Sequence, residues 1–270
     1  MKKLFLSTLS LIIFIGLFAQ DSTGVSQLGR GGRKNAKRQR INNLIRMEEE
    51  GDLIFNKHNI FGIRLATDGY GINFEKGKFK TPTRTMLYQF ELNEKKSPKE
   101  HKINSGDGTI NYSSVVPYKL NNFYIFKLAI GEQRLIGGKG NKNGVAVTAL
   151  YTGGISIGML KPYYVDVVKH NNTQESSRMT FDQLAKDTTV YEVQGASGFT
   201  VGWGHLKIKP GLNAKGAMRF DYGRLNQTVT AIEVGLTGEY YFSKIPQVML
   251  VPQKNFFFNA YVQIMFGSRK

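Results

Sequence analysis

Apolar and polar residues alternate one for one along most of this chain, which predicts β-strands rather than helices. The first alternating segment is His58 to Thr67, with Phe61, Ile63 and Leu65 on one face and Gly62, Arg64 and Ala66 on the other. Thr67-Asp68-Gly69 reads as a tight turn. It leads to a second segment, where Tyr70, Ile72 and Phe74 alternate with Gly71, Asn73 and Glu75. A third places Met86, Tyr88, Phe90 and Leu92 against Leu87, Gln89 and Glu91. A fourth sets Tyr124, Phe126, Leu128 and Ile130 opposite Ile125, Lys127 and Ala129. The fifth runs from Val145 to Met159. In the sixth, Leu212, Ala214, Met218, Phe220 and Tyr222 oppose Asn213, Lys215, Arg219 and Asp221. The seventh sets Ile232, Val234, Leu236, Tyr240 and Phe242 against Glu233, Gly235, Thr237 and Glu239. The eighth sets Phe256, Phe258, Ala260, Val262, Ile264 and Phe266 against Asn259, Tyr261 and Gln263.

Alternation does not distinguish a water-soluble barrel, such as a lipocalin-like one, from a lipid-embedded one. The second face does. It is rich in Gly, Ala, Ser and Thr, and its charges are of mixed sign: Arg64, Glu75, Glu91, Lys127, Lys215, Arg219, Asp221, Glu233 and Glu239. Small residues mixed with complementary charges suit a narrow polar lumen. The apolar face carries Tyr70, Tyr88, Tyr124, Tyr222, Tyr240 and Phe242 near strand ends, as interfacial girdles do. Several segments reach the about 9–11 residues that a tilted strand needs to cross a bilayer. A closed barrel also leaves no unpaired backbone in hydrocarbon. The expected fold is therefore all-β, an eight-stranded antiparallel transmembrane β-barrel spanning residues 52–270, preceded by a short helix.

The joints fit that topology. Lys76 to Thr83, Leu135 to Gly144 and Gly223 to Thr228 are expected to turn on the periplasmic side, although the middle one is long for such a turn. Asn93 to Asn122 and Lys161 to about Lys209 are expected to be polar external loops, with Phe199 to Ile208 as a short helix or folded cap. The even strand count brings both termini to the periplasm. The first external joint is only a tight turn, a departure from the long-loop pattern.

The start of the chain is read differently. Met1-Lys2-Lys3 is a basic opening, and Leu4 to Phe18 is an apolar run that ends at Ala19. At about 15 residues the run falls short of the roughly 20 that a spanning helix needs, so residues 1–19 read as a signal peptide. There are no cysteines, which removes a lipid-modified Cys, disulfides and thiolate metal sites. The formal net charge is +17, and residues 20–51 concentrate much of it. Arg33, Lys34, Lys37, Arg38 and Arg40 precede a short amphipathic face, Ile41, Leu44 and Ile45. In an exported chain nucleic acid is not an expected partner. An acidic envelope protein or anionic headgroups are, with a solvated linker as the plain alternative.

The chain resembles the outer-membrane β-barrel proteins of Bacteroidota, the broad PorT-like group. The likeness rests on Phe18-Ala19-Gln20 and on the Leu135-Ile136-Gly137-Gly138-Lys139-Gly140-Asn141-Lys142-Asn143-Gly144 stretch. Pro210-Gly211-Leu212 with Phe220-Asp221-Tyr222-Gly223, and the aromatic last strand, add to it. The resemblance covers residues 52–270 and implies a fold and an outer-membrane location. Some members are associated with secretion or envelope assembly, and no functional residue carries over.

Candidate chemistry is sparse. His58, His101, His170 and His205 show no metal-ligand spacing, so no metal or cofactor is expected. His205 with Ser197 is the one arrangement that suits a lipid hydrolase, against a plain reading as loop residues beside Trp203. Gly137 to Gly144 lacks the Gly-Lys-Ser/Thr ending of a phosphate loop and reads as a turn. Lumen ion pairs are expected among Arg64, Glu75, Lys127, Lys215, Arg219, Asp221, Glu233 and Glu239. Eight strands enclose a space that side chains can fill, so a packed interior is expected over a pore. The expected role is non-enzymatic: a structural or accessory barrel that anchors a partner complex through its basic N-terminal segment. A narrow channel or small-ligand binder is the alternative, and a lipid hydrolase the third.

Overall fold

The computed structural model describes residue 39 and residues 56–270, except 82, 106–112, 141–143, 170–171 and 224–227. The expected signal peptide, the helical face at residues 41–45 and the basic residues Arg33, Lys34, Lys37, Arg38 and Arg40 lie outside the described residues.

Eight antiparallel strands close into a ring. In chain order they are β1 (Lys57–Ala66), β2 (Gly69–Thr81), β3 (Arg84–Lys95), β6 (Asn121–Gly137), β7 (Ala146–Pro162), β11 (Lys207–Asp221), β12 (Thr228–Ile245) and β13 (Lys254–Arg269). Each pairs with its neighbour in the chain, and β1 pairs with β13 to complete the circle, His58 opposite Arg269 and Ala66 opposite Tyr261. Each alternating segment read from the sequence falls on one of these strands. Most strands are longer than the alternation suggested, because backbone pairing continues past the last lipid-facing residue. Lys76 to Thr83 is the clearest correction: β2 runs on to Thr81 and β3 begins at Arg84.

The barrel is built inside out. Phe61, Ile63, Leu65, Ile72, Phe74, Phe90, Leu92, Leu212, Val234, Leu236, Val262 and Ile264 are all exposed, while Arg64, Glu75, Glu91, Lys127, Arg219, Glu233 and Glu239 are buried. A water-soluble barrel would reverse these faces. An apolar exterior around a charged interior is the construction of a membrane-spanning β-barrel, in which a closed ring pairs every strand and lipid covers the outside.

One end carries tight joints and the other carries most of the loop mass. The long joints, expected as polar external loops, carry secondary structure of their own. β4 (Ile103–Ser105) and β5 (Ser113–Val115) form a two-stranded sheet between β3 and β6. Between β7 and β11, the strands β8 (Tyr164–Lys169), β9 (Asn172–Thr180) and β10 (Tyr191–Ala196) form a second sheet with β8 central. A one-and-a-half-turn helix, α1 (Phe181–Lys186), follows β9; the Thr180 hydroxyl and the Gln183 side chain cap it reciprocally. These pieces have their own core, Val115, Val165 and Val167 beneath Tyr163, Met179, Phe181, Leu184 and Tyr191. In the stretch expected to be a short helix or cap, only Trp203–His205 forms a single 3-10 turn, and Lys207 and Ile208 already belong to β11.

Candidate functional site

The interior is the most constrained part of the molecule. Inward-facing positions of neighbouring strands bring cations and carboxylates into contact across long sequence separations. Arg219 on β11 clasps Glu75 on β2 through both terminal guanidinium nitrogens, at 2.8 and 2.6 Å, and also donates to Glu233 on β12 at 2.7 Å. Arg64 on β1 makes the same two-pronged contact with Glu91 on β3, at 2.6 and 2.7 Å. Such forked, charge-assisted pairs are the strongest hydrogen bonds a side chain makes. Lys215 Nζ lies 3.0 Å from Glu91, and Lys127 Nζ lies 2.5 Å from Glu239. Of the expected lumen charges, Arg64, Glu75, Lys127, Lys215, Arg219, Glu233 and Glu239 thus lie in one network, with Glu91 at its centre.

Asp221 lies apart from that network. It accepts from Arg269 at the tight-joint end, with Lys139 Nζ 4.0 Å away and also bonded to the Gly223 carbonyl. Lys139 belongs to the glycine-rich stretch, whose described part forms the end of β6 and a turn. Burial lowers the pKa of this lysine, the Asp221 carboxylate opposing that effect. At the other end Lys95 joins Glu239 to Asp68, at 3.0 and 2.8 Å. His58 Nε2 meets Glu75 at 2.9 Å. Sequence reading overlooked Lys95, Asp68 and His58 as members. Lys95 continues the inward phase of Leu87, Gln89 and Glu91, so the signal was present; Asp68 sits in a turn, where alternation says nothing.

The inward glycines make room for these side chains. A Cβ added at Gly77 would strike the His58 ring, and one at Gly235 would meet the Tyr261 hydroxyl at 2.8 Å. That hydroxyl donates to Glu233 at 2.6 Å, while the Tyr261 ring lies 4.0 Å from the Arg64 guanidinium. Apolar clusters flank the ionic column toward both of its ends. Phe123, Ile125, Leu160, Tyr241 and Ile245 pack together at the long-loop end, and Ile60, Val229, Ala231 and Met265 at the other. Glu75 and Glu233 are 0 % exposed, so solvent does not reach them. Beside Arg64, Lys127 and Glu239 the free space is about 10 Å³, roughly the least that one water molecule needs.

The roomier spaces lie at the long-loop end. Because β1 and β2 meet in the tight Thr67-Asp68 turn while β13 begins at Lys254, the wall is low on one side. A cavity of about 570 Å³ stands over that turn, lined by Ile245, Val248, Val251 and Phe257 with Lys96 and Lys99 at its border. A smaller one, about 300 Å³, lies among Tyr70, Glu94, Tyr124, Lys161 and Ser197. Beside it, Trp203 stacks on Tyr124 with ring centres 5.5 Å apart, and Lys161 Nζ sits 4.5 Å from the Phe199 ring centre.

His205 and Ser197 do not form a nucleophile–base pair. The Ser197 hydroxyl donates to Asp166 at 2.7 Å, and His205 Nδ1 faces the Tyr164 hydroxyl at 3.3 Å. Among the described residues no cluster of three or more His, Asp or Glu could hold a metal ion; His170 lies outside them.

No protein-family model matches the chain, and no curated protein matches it. Among solved structures it is similar to the N-terminal β-barrel domain of OprF from Pseudomonas aeruginosa, with 11 % identity, 79 % of this chain and 98 % of that one covered, and a TM-score of 0.37. It is also similar to Ail, the attachment invasion locus protein of Yersinia pestis, solved with the heparin analogue sucrose octasulfate: 9 % identity, 80 % and 100 % covered, TM-score 0.38. Neisserial surface protein A is a third, with 7 % identity, 79 % and 96 % covered and a TM-score of 0.39. At these values the likenesses add nothing to what the chain's own closed ring of eight strands establishes.

Proposed function

We propose that this chain is an outer-membrane barrel of a Gram-negative envelope that serves as a non-enzymatic structural or accessory component, anchoring a partner complex in secretion or envelope assembly. Both termini face the periplasm in this reading. The observation that carries it is the filled interior. A column of mutually neutralising charges between two apolar clusters suits a rigid anchor and leaves no room for a solute. Function then falls to the structured long-loop end that the barrel holds in place and to the basic N-terminal segment. Arg33, Lys34, Lys37, Arg38 and Arg40 are the proposed contact with an acidic envelope protein, a complementarity that would steer and hold an encounter.

The test is co-purification from native outer membrane after crosslinking. Partners recovered with the full chain and lost on deleting residues 30–50 support the scaffold. Recovery of the same partners without that segment rules out its assigned part.

A second reading is favoured by one specific feature, the cavity of about 570 Å³ over the Thr67-Asp68 turn, which is of ligand size. In that reading the barrel binds a small apolar molecule at its long-loop end. Saturable binding that is abolished by Val248→Trp, with partners unaffected, would favour it over the anchor.

A further inference from the structure

At the tight-joint end the outward faces of adjacent strands carry a row of cations. Lys270 and Lys57 exchange backbone hydrogen bonds, each N–H donating to the other's carbonyl at 2.8 Å. Lys57 stands directly opposite Lys78 on β2, and Arg84 on β3 directly opposite Arg134 on β6. Lys76 and Lys80 flank Lys78 on the same outward face of β2, and all seven of these side chains are exposed. Cross-strand partners sit about 4.5–5.5 Å apart at Cβ, and like charges so placed destabilise a sheet. Here three like-charged pairs follow one another around the rim.

Little within the described part of the barrel offsets them. Glu132 alone serves both arginines, 2.8 Å from Arg134 and 3.7 Å from Arg84. Among the described residues the row is also one-sided. It covers β13, β1, β2, β3 and β6, whereas the described outward residues at the same end of β7, β11 and β12 are Val145, Val147, Phe220, Tyr222, Thr228 and Thr230. A general need for polar residues at a membrane surface would be met by serine or asparagine and would not favour one wall. Repeated unfavourable pairings on one wall, with little among the described residues to offset them, point to an anion outside the barrel. The apolar face begins within one or two outward positions, at Phe61, Phe74 and Tyr88, so the cations stand at headgroup depth.

We propose that this wall binds the phosphates of anionic phospholipids in the leaflet met by the tight-joint end. Resting on the membrane-barrel reading above, the inference makes the barrel lipid-selective on one side. Lys57, Lys78 and Arg84 form the centre of the site, and their aliphatic stems lie along the apolar face while the charges reach the headgroups.

The test uses the full chain folded into vesicles of phosphatidylcholine and phosphatidylglycerol, followed by native mass spectrometry of the lipids it retains. The expected result is preferential retention of phosphatidylglycerol that weakens with added salt. K57Q/K78Q/R84Q should lower that preference by roughly fivefold per cation removed. K96Q/K207Q/K254Q, which removes as many exposed charges at the other end, should leave it intact. Equal retention of the two lipids, or equal loss in both variants, overturns the proposal; a row meant for an acidic protein would give the first of these. Gel mobility with and without heating reports insertion separately. Insertion without preference sinks this inference alone, whereas no insertion into either vesicle sinks the membrane reading with it.

Discussion

Arg219 shows how much a single lumen residue holds. Its guanidinium lies between two carboxylates that are 0 % exposed, Glu75 and Glu233. Arg219→Leu would leave both anions buried without their main partner, and breaking a buried pair in this way costs about 3–5 kcal/mol. Urea unfolding in lipid vesicles should show that loss. Glu75→Gln in the Arg219→Leu background should recover part of it, because one of the stranded charges is then removed. A loss within about 1 kcal/mol, the range of exposed pairs, would mean that water reaches the site. Gly77→Ala acts on the same network from the backbone: its new methyl group displaces the His58 ring, and the barrel should lose stability without any change of charge. The inward charges were legible in the sequence because alternation assigns a face. Their pairing was not. Arg219 and Glu75 are 144 residues apart, and the register of a closed ring decides which inward residues meet.

At the scale of elements, the eight wall strands could be read because lipid demands an apolar residue at nearly every outward position. No such demand acts on the long-loop end. There β8 and β10 are six residues each and β9 is polar along most of its length, Asn172 to Arg178. Strands so short, or so polar, leave little periodic signal in the sequence. They are nevertheless held by a core of their own, so Val167→Asp should make this end sensitive to protease while the barrel keeps its heat-modifiable mobility. Loss of both would show that the loop sheet and the wall fold as one unit. A milder acid effect belongs to the chain just after α1. Asp187 accepts from the Thr189 N–H and the Tyr191 hydroxyl, each at 2.9 Å. The backbone donor, Thr189, is the first cause of its lowered pKa. A carboxyl whose pKa is lower folded than unfolded stabilises the fold above its ordinary range and ceases to do so as pH falls through the folded value. Amide exchange at Thr189 should therefore quicken, relative to Asp187→Asn, below the usual carboxylate range.

For the molecule as a whole, the inside-out barrel followed from composition on two faces and the filled lumen from the strand count, while the pairing that fills it is seen only in the folded ring. A charged lumen is equally the lining of a pore, and the sequence does not say which side chains of opposite sign meet across it. Here Asp68, Lys95, Glu239, Lys127, Glu91, Lys215, Glu233, Arg219 and Glu75 form a continuous run of alternating charge along the axis. Phe123 and Tyr241 stand at one end of it and Met265 at the other. That arrangement is why we propose an anchoring rather than a conducting role. Ion conductance of the folded full-length chain in planar lipid bilayers tests it most directly. A filled lumen predicts current no higher than that of the lipid alone. Uniform conductance steps, persisting when residues 163–206 are replaced by a short linker, would contradict it.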